Sequence, residues 1–157
     1  MLPFRKRLHG NDRRGATIVE MAVVAPAFAV FLAAIMEFGH AFLVVGTLNA
    51  AAKQAARFGA VDGISTTDTV DRANTVLGAA FDTAQATVLV KDASVFDAET
   101  LPETIDYNDM PNIELLDAER RQLYVVRIEV DYNDVALMPP FWAKDLKLTG
   151  QSVMRHE

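Results

Sequence analysis

The feature that most constrains the fold is a long apolar run that follows a basic tract. Met21–Met36 holds sixteen residues without a charge, and fifteen further uncharged residues follow Glu37, from Phe38 to Ala52. Sixteen helical residues rise only about 24 Å, whereas the stretch from Met21 to Val45 is long enough to cross a hydrocarbon core of about 30 Å. The run therefore predicts a membrane-spanning helix, with Glu37 within or near the membrane. Such a carboxylate needs a partner, protonation or a protein-lined environment.

The charges are distributed unevenly along the chain. Residues 1–14 carry five basic side chains and one acidic, residues 15–61 carry two of each, and residues 62–157 carry eight basic and 18 acidic. A short basic tract beside an apolar segment is a topology signal before it is a nucleic-acid-binding arm. The pattern predicts a single-pass protein of the inner (cytoplasmic) membrane, with a cytoplasmic N-terminus and a periplasmic or extracellular acidic domain. It predicts no nucleic-acid partner.

One helix accounts for the whole apolar segment. We expect it to run from about Ala16 to Ala60 and to end near the Asp62-Gly63 turn. Pro26 removes one backbone hydrogen bond, so it should kink or loosen the helix locally. A cleaved secretory signal fits less well, because the apolar stretch is too long and no small-x-small site closes it.

The most specific pattern joins the basic tract to this helix. Gly15 follows Arg13-Arg14, and the only early charge of the helix is Glu20, five residues after the glycine. A carboxylate just inside an apolar helix is costly unless it is neutralised. The simpler interpretation is that Glu20 is a first-turn residue that favours the helix dipole.

The leader, glycine and glutamate together look like the cleavage site of type IV pilin-like proteins. The continuation narrows the match, because Val19–Pro26, Glu37-Phe38-Gly39 and Asn49–Arg57 resemble the TadE-like pseudopilin family. Proteins of that family belong to the tight-adherence (Tad, or Flp) pilus machinery. The resemblance covers roughly residues 14–60. It implies a minor pseudopilin that acts in pilus assembly, initiation or surface adhesion, and a pilin-like fold.

The resemblance also implies how the chain is processed. Residues 1–15 would be a cytoplasmic leader that a prepilin peptidase removes by cutting between Gly15 and Ala16. The remaining helix, residues 16–61, would cross the bilayer and assemble with other Tad pilins, pseudopilins and the inner-membrane assembly platform. The new amine at Ala16 would lie one helical turn from Glu20, so the two could pair within a chain or between neighbours. The residues implied in recognition and assembly are Glu20, Pro26 and Glu37.

Residues 62–157 predict a small acidic α+β domain. An amphipathic pattern over residues 66–82 predicts a short helix begun by a Thr or Asp cap. Residues 92–119 hold nine acidic side chains and no basic ones, and they predict a long exposed loop. The predicted strands are residues 86–90, 122–132 and 146–154. The fold class is therefore α+β, in which a long N-terminal transmembrane helix precedes a small antiparallel sheet with a short helix.

Patterns typical of enzymes are missing from the sequence. The chain has no cysteine, no Gly-x-Ser-x-Gly and no phosphate-binding glycine motif, and His9, His40 and His156 lack metal-ligand spacing. We therefore expect no catalytic residues, no cofactor and no metal. Asp106, Asn108 and Asp109 could hold calcium, but they lack the EF-hand pattern, and a solvated loop is favoured.

Two hypotheses remain open from the sequence. The first is the assembly protein that the resemblance implies. The second is a single-pass, signal-anchored membrane protein whose extracytoplasmic domain binds a partner or the cell wall. The pair Phe141-Trp142 fits either one, as core or as an anchor at the membrane interface rather than a sugar platform.

Overall fold

The computed structural model describes residues 12–98, 105–138 and 146–157. The leader before residue 12 and the predicted linker residues 139–145, including Phe141 and Trp142, lie outside the described residues. A long helix, two short helices and three strands follow in order: α1 (Asp12–Gly59), α2 (Thr66–Leu77), β1 (Ala86–Asp92), β2 (Leu123–Asp131), α3 (Tyr132–Val135) and β3 (Lys147–Arg155). This confirms the predicted α+β class. The chain divides after Phe38 into two compact units, which we describe in turn.

The first unit contains the N-terminal part of α1. Its apolar side chains are exposed from Ile18 through Met36, and the helix is unbroken at Pro26. Within the described residues, α1 is the one helix long and apolar enough to cross a membrane, over Gly15–Gly59. The predicted long helix is thus confirmed, and its start lies four residues before the predicted one.

The second unit is built on a three-stranded antiparallel sheet in the order β1-β2-β3. Alternation along the central strand β2 sends one set of side chains into the core, since successive residues point to opposite faces. The buried set is Tyr124, Val126, Ile128 and Val130. All three strands lie within two residues of the predicted bounds.

The C-terminal part of α1 packs against the sheet through small side chains. Leu48 is fully buried, and so is a set of alanines: Ala51, Ala52, Ala55 and Ala56. Gly150 of β3 permits this close approach, because a Cβ there would lie 2.4 Å from the carbonyl carbon of Leu48. The Tyr124 hydroxyl donates a hydrogen bond to the Ala56 carbonyl oxygen. Helix and sheet therefore form one core.

Helix α2 corrects part of the prediction. Its N-cap is Ser65, rather than a Thr or Asp, and it ends at Leu77, five residues before the predicted end. The Ser65 hydroxyl accepts a hydrogen bond from the Asp68 amide at 3.1 Å, and the Asp68 carboxylate accepts one from the Ser65 amide at 3.1 Å. This reciprocal pair is a capping box, which satisfies two amides at the helix start.

The prediction that residues 92–119 form an exposed loop is wrong in part. Two 3₁₀ turns, Ser94–Asp97 and Leu115–Asp117, interrupt the described portion of the segment. Leu115 is fully buried in the main core, while Met110 packs with Ala93 and Val125 in a second, smaller cluster. Val125 alternates with the core residues of β2, so this cluster covers the opposite face of the sheet.

Candidate functional site

The predicted cleavage position lies near the start of α1. Gly15 and Ala16 are exposed, and a Cβ on Gly15 would meet no atom within 4 Å. Because α1 begins at Asp12, Gly15 is the last of the four residues whose amides have no acceptor inside the helix. The peptide bond after Gly15 is therefore accessible and lies where a helix frays most readily.

Glu20 lies four residues after Ala16 on the same helix face. Its side chain is exposed, and it forms no hydrogen bond or ion pair with any residue that the structure describes. An amine created at Ala16 would thus find this carboxylate one turn away and accessible. Pro26, the other predicted residue of this stretch, is exposed as well.

Glu37 differs sharply from its neighbours. It is 3% exposed, whereas Met36 and Phe38 are 65% and 60% exposed. Glu37 is therefore buried, while the apolar side chains on either side of it are exposed. The structure does not bring Glu37 together with Gly15 or Glu20 into one site.

A groove of about 840 Å³ lies beside the outer face of the sheet in the second unit. We call it the acidic groove, since Asp92, Asp106, Asp109 and Glu129 line it with Tyr107 and Arg127. The Arg127 guanidinium lies 4.3 Å from the centre of the Tyr107 ring and pairs with Glu129 at 2.7 Å. Its Nη1 donates to Gln151 Oε1 at 2.8 Å.

Three of the four carboxylates of this groove, those of Asp92, Asp106 and Glu129, are held by partners from the chain itself. The hydrogen bond from Arg127 lowers the pKa of Glu129, although partial burial opposes the shift. Burial alone would raise the pKa of Asp92, but hydrogen bonds from Ser94 and Gln122 outweigh it and the pKa is lowered. The groove is therefore a structural network of charged side chains rather than a set of unpaired ones.

The calcium alternative gains no support from the loop geometry. Asp106 Oδ1 accepts hydrogen bonds from the backbone amide and the side-chain amide of Asn108, at 2.9 and 3.1 Å. This closes a local turn around the carboxylate. In the described ranges, no group of three or more acidic, histidine or cysteine side chains could hold a metal ion.

The two described histidines are apart from each other and have different surroundings. His40 Nε2 donates a hydrogen bond to the Val135 carbonyl oxygen at 2.8 Å, which ties α1 to the segment after β2. His156 is 3% exposed, and neither ring nitrogen has a hydrogen-bond partner among the described residues. His9 lies outside the described residues.

The described residues contain one accessible apolar helix, with a glycine near its start, followed by an antiparallel sheet. This combination suggests the class of α+β proteins that are anchored to a membrane by a single helix. Residues 15–57 match the family model described as TadE-like protein. The resemblance seen in the sequence is thereby confirmed over this segment. Neither the curated proteins nor the solved structures contain a match to this chain. The sheet and its acidic groove lie outside the family match.

Sequence reasoning missed one surface of the second unit. A cavity of about 390 Å³ opens between α1, the segment after α2 and the segment after β2, and its walls include Leu43, Phe81 and Leu137. Leu43 belongs to the apolar run, where membrane crossing already explains an apolar residue, so the sequence gives no separate sign of its place in the cavity wall. Leu137 stands in a stretch without periodicity, where nothing in the sequence marks it as part of a surface.

Proposed function

We propose that this chain is a minor pseudopilin of a Tad/Flp pilus. A prepilin peptidase cleaves it between Gly15 and Ala16, and the retained helix then acts in pilus assembly, initiation or surface adhesion. The observation that carries the proposal is an exposed apolar helix whose TadE-like match begins at Gly15 itself. The proposed role is structural rather than enzymatic, and the proposed partners are the peptidase, other Tad pilins and pseudopilins, and the inner-membrane assembly platform.

The proposed topology follows from the charges. Basic residues precede the apolar helix, so the N-terminus remains in the cytoplasm and the second unit faces the periplasm or the cell exterior. Both the peptidase site and Glu20 then lie at the cytoplasmic end of the span. The helix supplies the 25 residues from Met21 to Val45, with Glu37 as their one charge, which is long enough to cross a bilayer core.

Processing is the first test. Co-expression with the cognate peptidase should remove residues 1–15 of the 157 and leave a chain that starts at Ala16. Gly15→Arg should abolish this cleavage, because a long charged side chain replaces the smallest residue at the scissile bond. Intact mass of membrane fractions, with and without peptidase, measures the outcome.

The matched control for processing is Gly46→Arg. Gly46 is another exposed glycine of α1 with no atom near its Cβ position, and it lies far from the scissile bond. This variant should be cleaved normally. Retention of residues 1–15 in the unmodified chain in the presence of active peptidase would refute the proposal and favour the signal-anchored alternative.

Assembly is the second test, through Glu20→Ala. Removing a carboxylate from an apolar helix should leave membrane insertion intact or improve it. It should nonetheless impair pili, since the amine at Ala16 of the same or a neighbouring subunit loses its carboxylate. A lost charge-assisted bond costs about 1–3 kcal/mol, enough to shift assembly about tenfold.

Surface pili, processing and membrane level are compared in the Glu20→Ala chain and in the unmodified one. Cleavage should change less than assembly, because the scissile bond is a helical turn away. Glu20→Gln serves as the isosteric control and should also impair assembly, since it removes the charge and keeps the shape. Normal pili at normal protein level would reduce Glu20 to a helix-dipole role.

A further inference from the structure

Exposed apolar side chains gather at one end of the second unit. They come from three separate segments of the chain: α1, the residues after α3, and the residue before β3. Their exposed fractions run from 43% to 81%. We call this surface the apolar rim, and its members are Phe42, Leu43, Leu137, Met138 and Leu146.

Three observations place these segments at the same end of the domain. Asp131, the last residue of β2, is paired with Lys147, the first residue of β3. The Tyr132 amide donates to the Leu146 carbonyl oxygen at 2.8 Å. His40 Nε2 donates a hydrogen bond to the Val135 carbonyl oxygen, also at 2.8 Å. This bond places the first residues of α1 in the second unit at the same end of the domain.

The opposite end of the sheet is charged. There Leu123 of β2 pairs with Arg155 of β3, and Arg155 forms a salt bridge with Asp97 at 2.7 Å. The hydrogen bond from Arg155 lowers the pKa of Asp97. The rim end also carries the exposed charges of Asp131, Asp134 and Lys147, so its cluster of exposed apolar side chains is what distinguishes it.

The position of the rim in the chain indicates what surface it contacts. A helix that enters the hydrocarbon core at Met21, where the charge-free run begins, crosses it in about 20 residues, to near His40. Phe42 and Leu43 follow within three helical residues, a rise of about 5 Å, which keeps them inside the headgroup layer of roughly 5–7 Å on that side of the core.

We propose that the apolar rim docks on the surface of the bilayer that α1 crosses. The five side chains would lie at the level of the headgroups and upper acyl chains, and they would fix the domain against the membrane. Asp134, exposed beside the cavity near Leu137, would stay in the hydrated layer. The inference rests on the membrane anchor of the proposed function and on no other part of it.

The chain has no cysteine, so single cysteines can report depth cleanly. Leu137→Cys and Leu43→Cys probe the rim, Phe31→Cys probes the span, and Val61→Cys is the matched control, since Val61 is 49% exposed beyond the end of α1. Each full-length variant carries an environment-sensitive fluorophore in phosphatidylethanolamine/phosphatidylglycerol vesicles with a lipid-borne quencher. We expect quenching at the rim positions and in the span, and none at Val61→Cys.

The outcomes separate the inference from its premise. An unquenched Phe31→Cys would overturn the membrane anchor itself. A quenched Phe31→Cys with Leu137→Cys as bright as Val61→Cys would overturn the rim docking and leave the anchor standing. The label at Leu137→Cys could also be shielded from water but not quenched by the lipid-borne quencher, with the shielding lost at low protein-to-lipid ratio. That result would assign the rim to a second copy of the chain and would also overturn the proposal.

A second measurement uses the label at Leu43→Cys. Adding Leu137→Asp and Leu146→Asp should abolish quenching there, because two carboxylates would keep the rim in water. Leu116→Asp is the matched control, since Leu116 is 55% exposed in the Leu115–Asp117 turn, away from the rim. Quenching at Leu43→Cys that is unchanged by the double substitution would overturn the docking.

Discussion

Two stretches of the same helix have similar apolar composition and different surroundings. Over residues 15–38 the side chains of α1 are exposed with few exceptions, and Val24 and Phe31 are 54% and 60% exposed. Over residues 39–59 one face is fully buried against the sheet, with Leu48 and Ala55 at 0%. Hydropathy therefore identifies the helix, but it does not say which part of the helix meets lipid and which part meets protein.

The difference between the two stretches lies in the placement of polar residues. In the second stretch Lys53 and Arg57 occupy an exposed face, opposite the buried alanines. In the first stretch no charge interrupts the apolar surface between Glu20 and Glu37. A helix that is apolar all round is typical of a lipid environment, and one with a single apolar stripe is typical of a protein core.

The largest difference in stability between the two stretches should appear when one large side chain is truncated in each of them. Leu48→Ala should lower the free energy of unfolding by about 2–5 kcal/mol, because it leaves a cavity in a filled core. Phe31→Ala should leave the unfolding of the second unit unchanged. Thermal unfolding of the full chain in detergent micelles measures both. Equal loss in the two variants would show that residues 15–38 also belong to the folded core.

A smaller effect is expected at two glycines. Gly150→Ala should destabilise the second unit by about 1–3 kcal/mol, since its Cβ would meet the backbone of Leu48 and Asn49 at 2.4 and 2.5 Å. Gly46→Ala adds the same methyl group to α1 where no atom lies within 4 Å. That change should be neutral or stabilising by up to about 1 kcal/mol, because alanine favours a helix. Denaturant unfolding of both variants tests the contrast, and a stable Gly150→Ala would contradict the close approach.

Acid should also affect the stability of the two stretches differently, but by less than the substitutions above. The pKa values of Glu129, Asp92 and Asp97 are lowered by their hydrogen bonds in the folded chain, so their stabilisation is complete above about pH 4 and is lost as pH falls through the folded values. All three belong to the second unit. Its unfolding midpoint should therefore fall from about pH 4 downward, while the helicity of residues 15–38 persists.

The control for acid sensitivity is Glu129→Gln, which removes one of the titrating groups and keeps the side-chain shape. Its unfolding midpoint should depend less steeply on pH below about pH 4 than that of the unmodified chain. Circular dichroism at several pH values follows both helicity and unfolding. A midpoint that is independent of pH in the unmodified chain would show that these carboxylates contribute nothing to folding.

The regular elements could be predicted because their patterns are dense. The alternation in β2 and the long run of α1 specified those elements to within a few residues. The folded part of residues 92–119 could not be predicted, because Met110 and Leu115 are isolated among acidic residues and form no periodic pattern. The burial of Val125 could not be predicted for the same reason, since the acidic segment that covers it has the composition of a solvated loop.

The residues of the candidate site and of the proposed surface also differ in whether the sequence could predict them. The motif around Gly15 and Glu20 was visible as a spacing, and the family match confirms the resemblance while the processing itself stays a prediction. Gly150 carried a usable signal, since a glycine inside a strand pattern often marks close backbone approach. The apolar rim carried none, because its members are far apart in the chain and reach the same end of the domain only through the pairing of β2 with β3 and the His40–Val135 hydrogen bond.

The approach of Gly150 to Leu48 has a consequence for biogenesis. The Gln151 amide donates to Asn49 Oδ1, a bond between residues 102 positions apart, so α1 and β3 close the core from distant parts of the chain. Contacts of such long range form late, because the intervening chain must first be ordered. On a protein exported N-terminal anchor first, the alanine face of α1 would stay uncovered until β3 had crossed the membrane. Under the proposed topology, that face is therefore the part of the core that stays exposed longest during export.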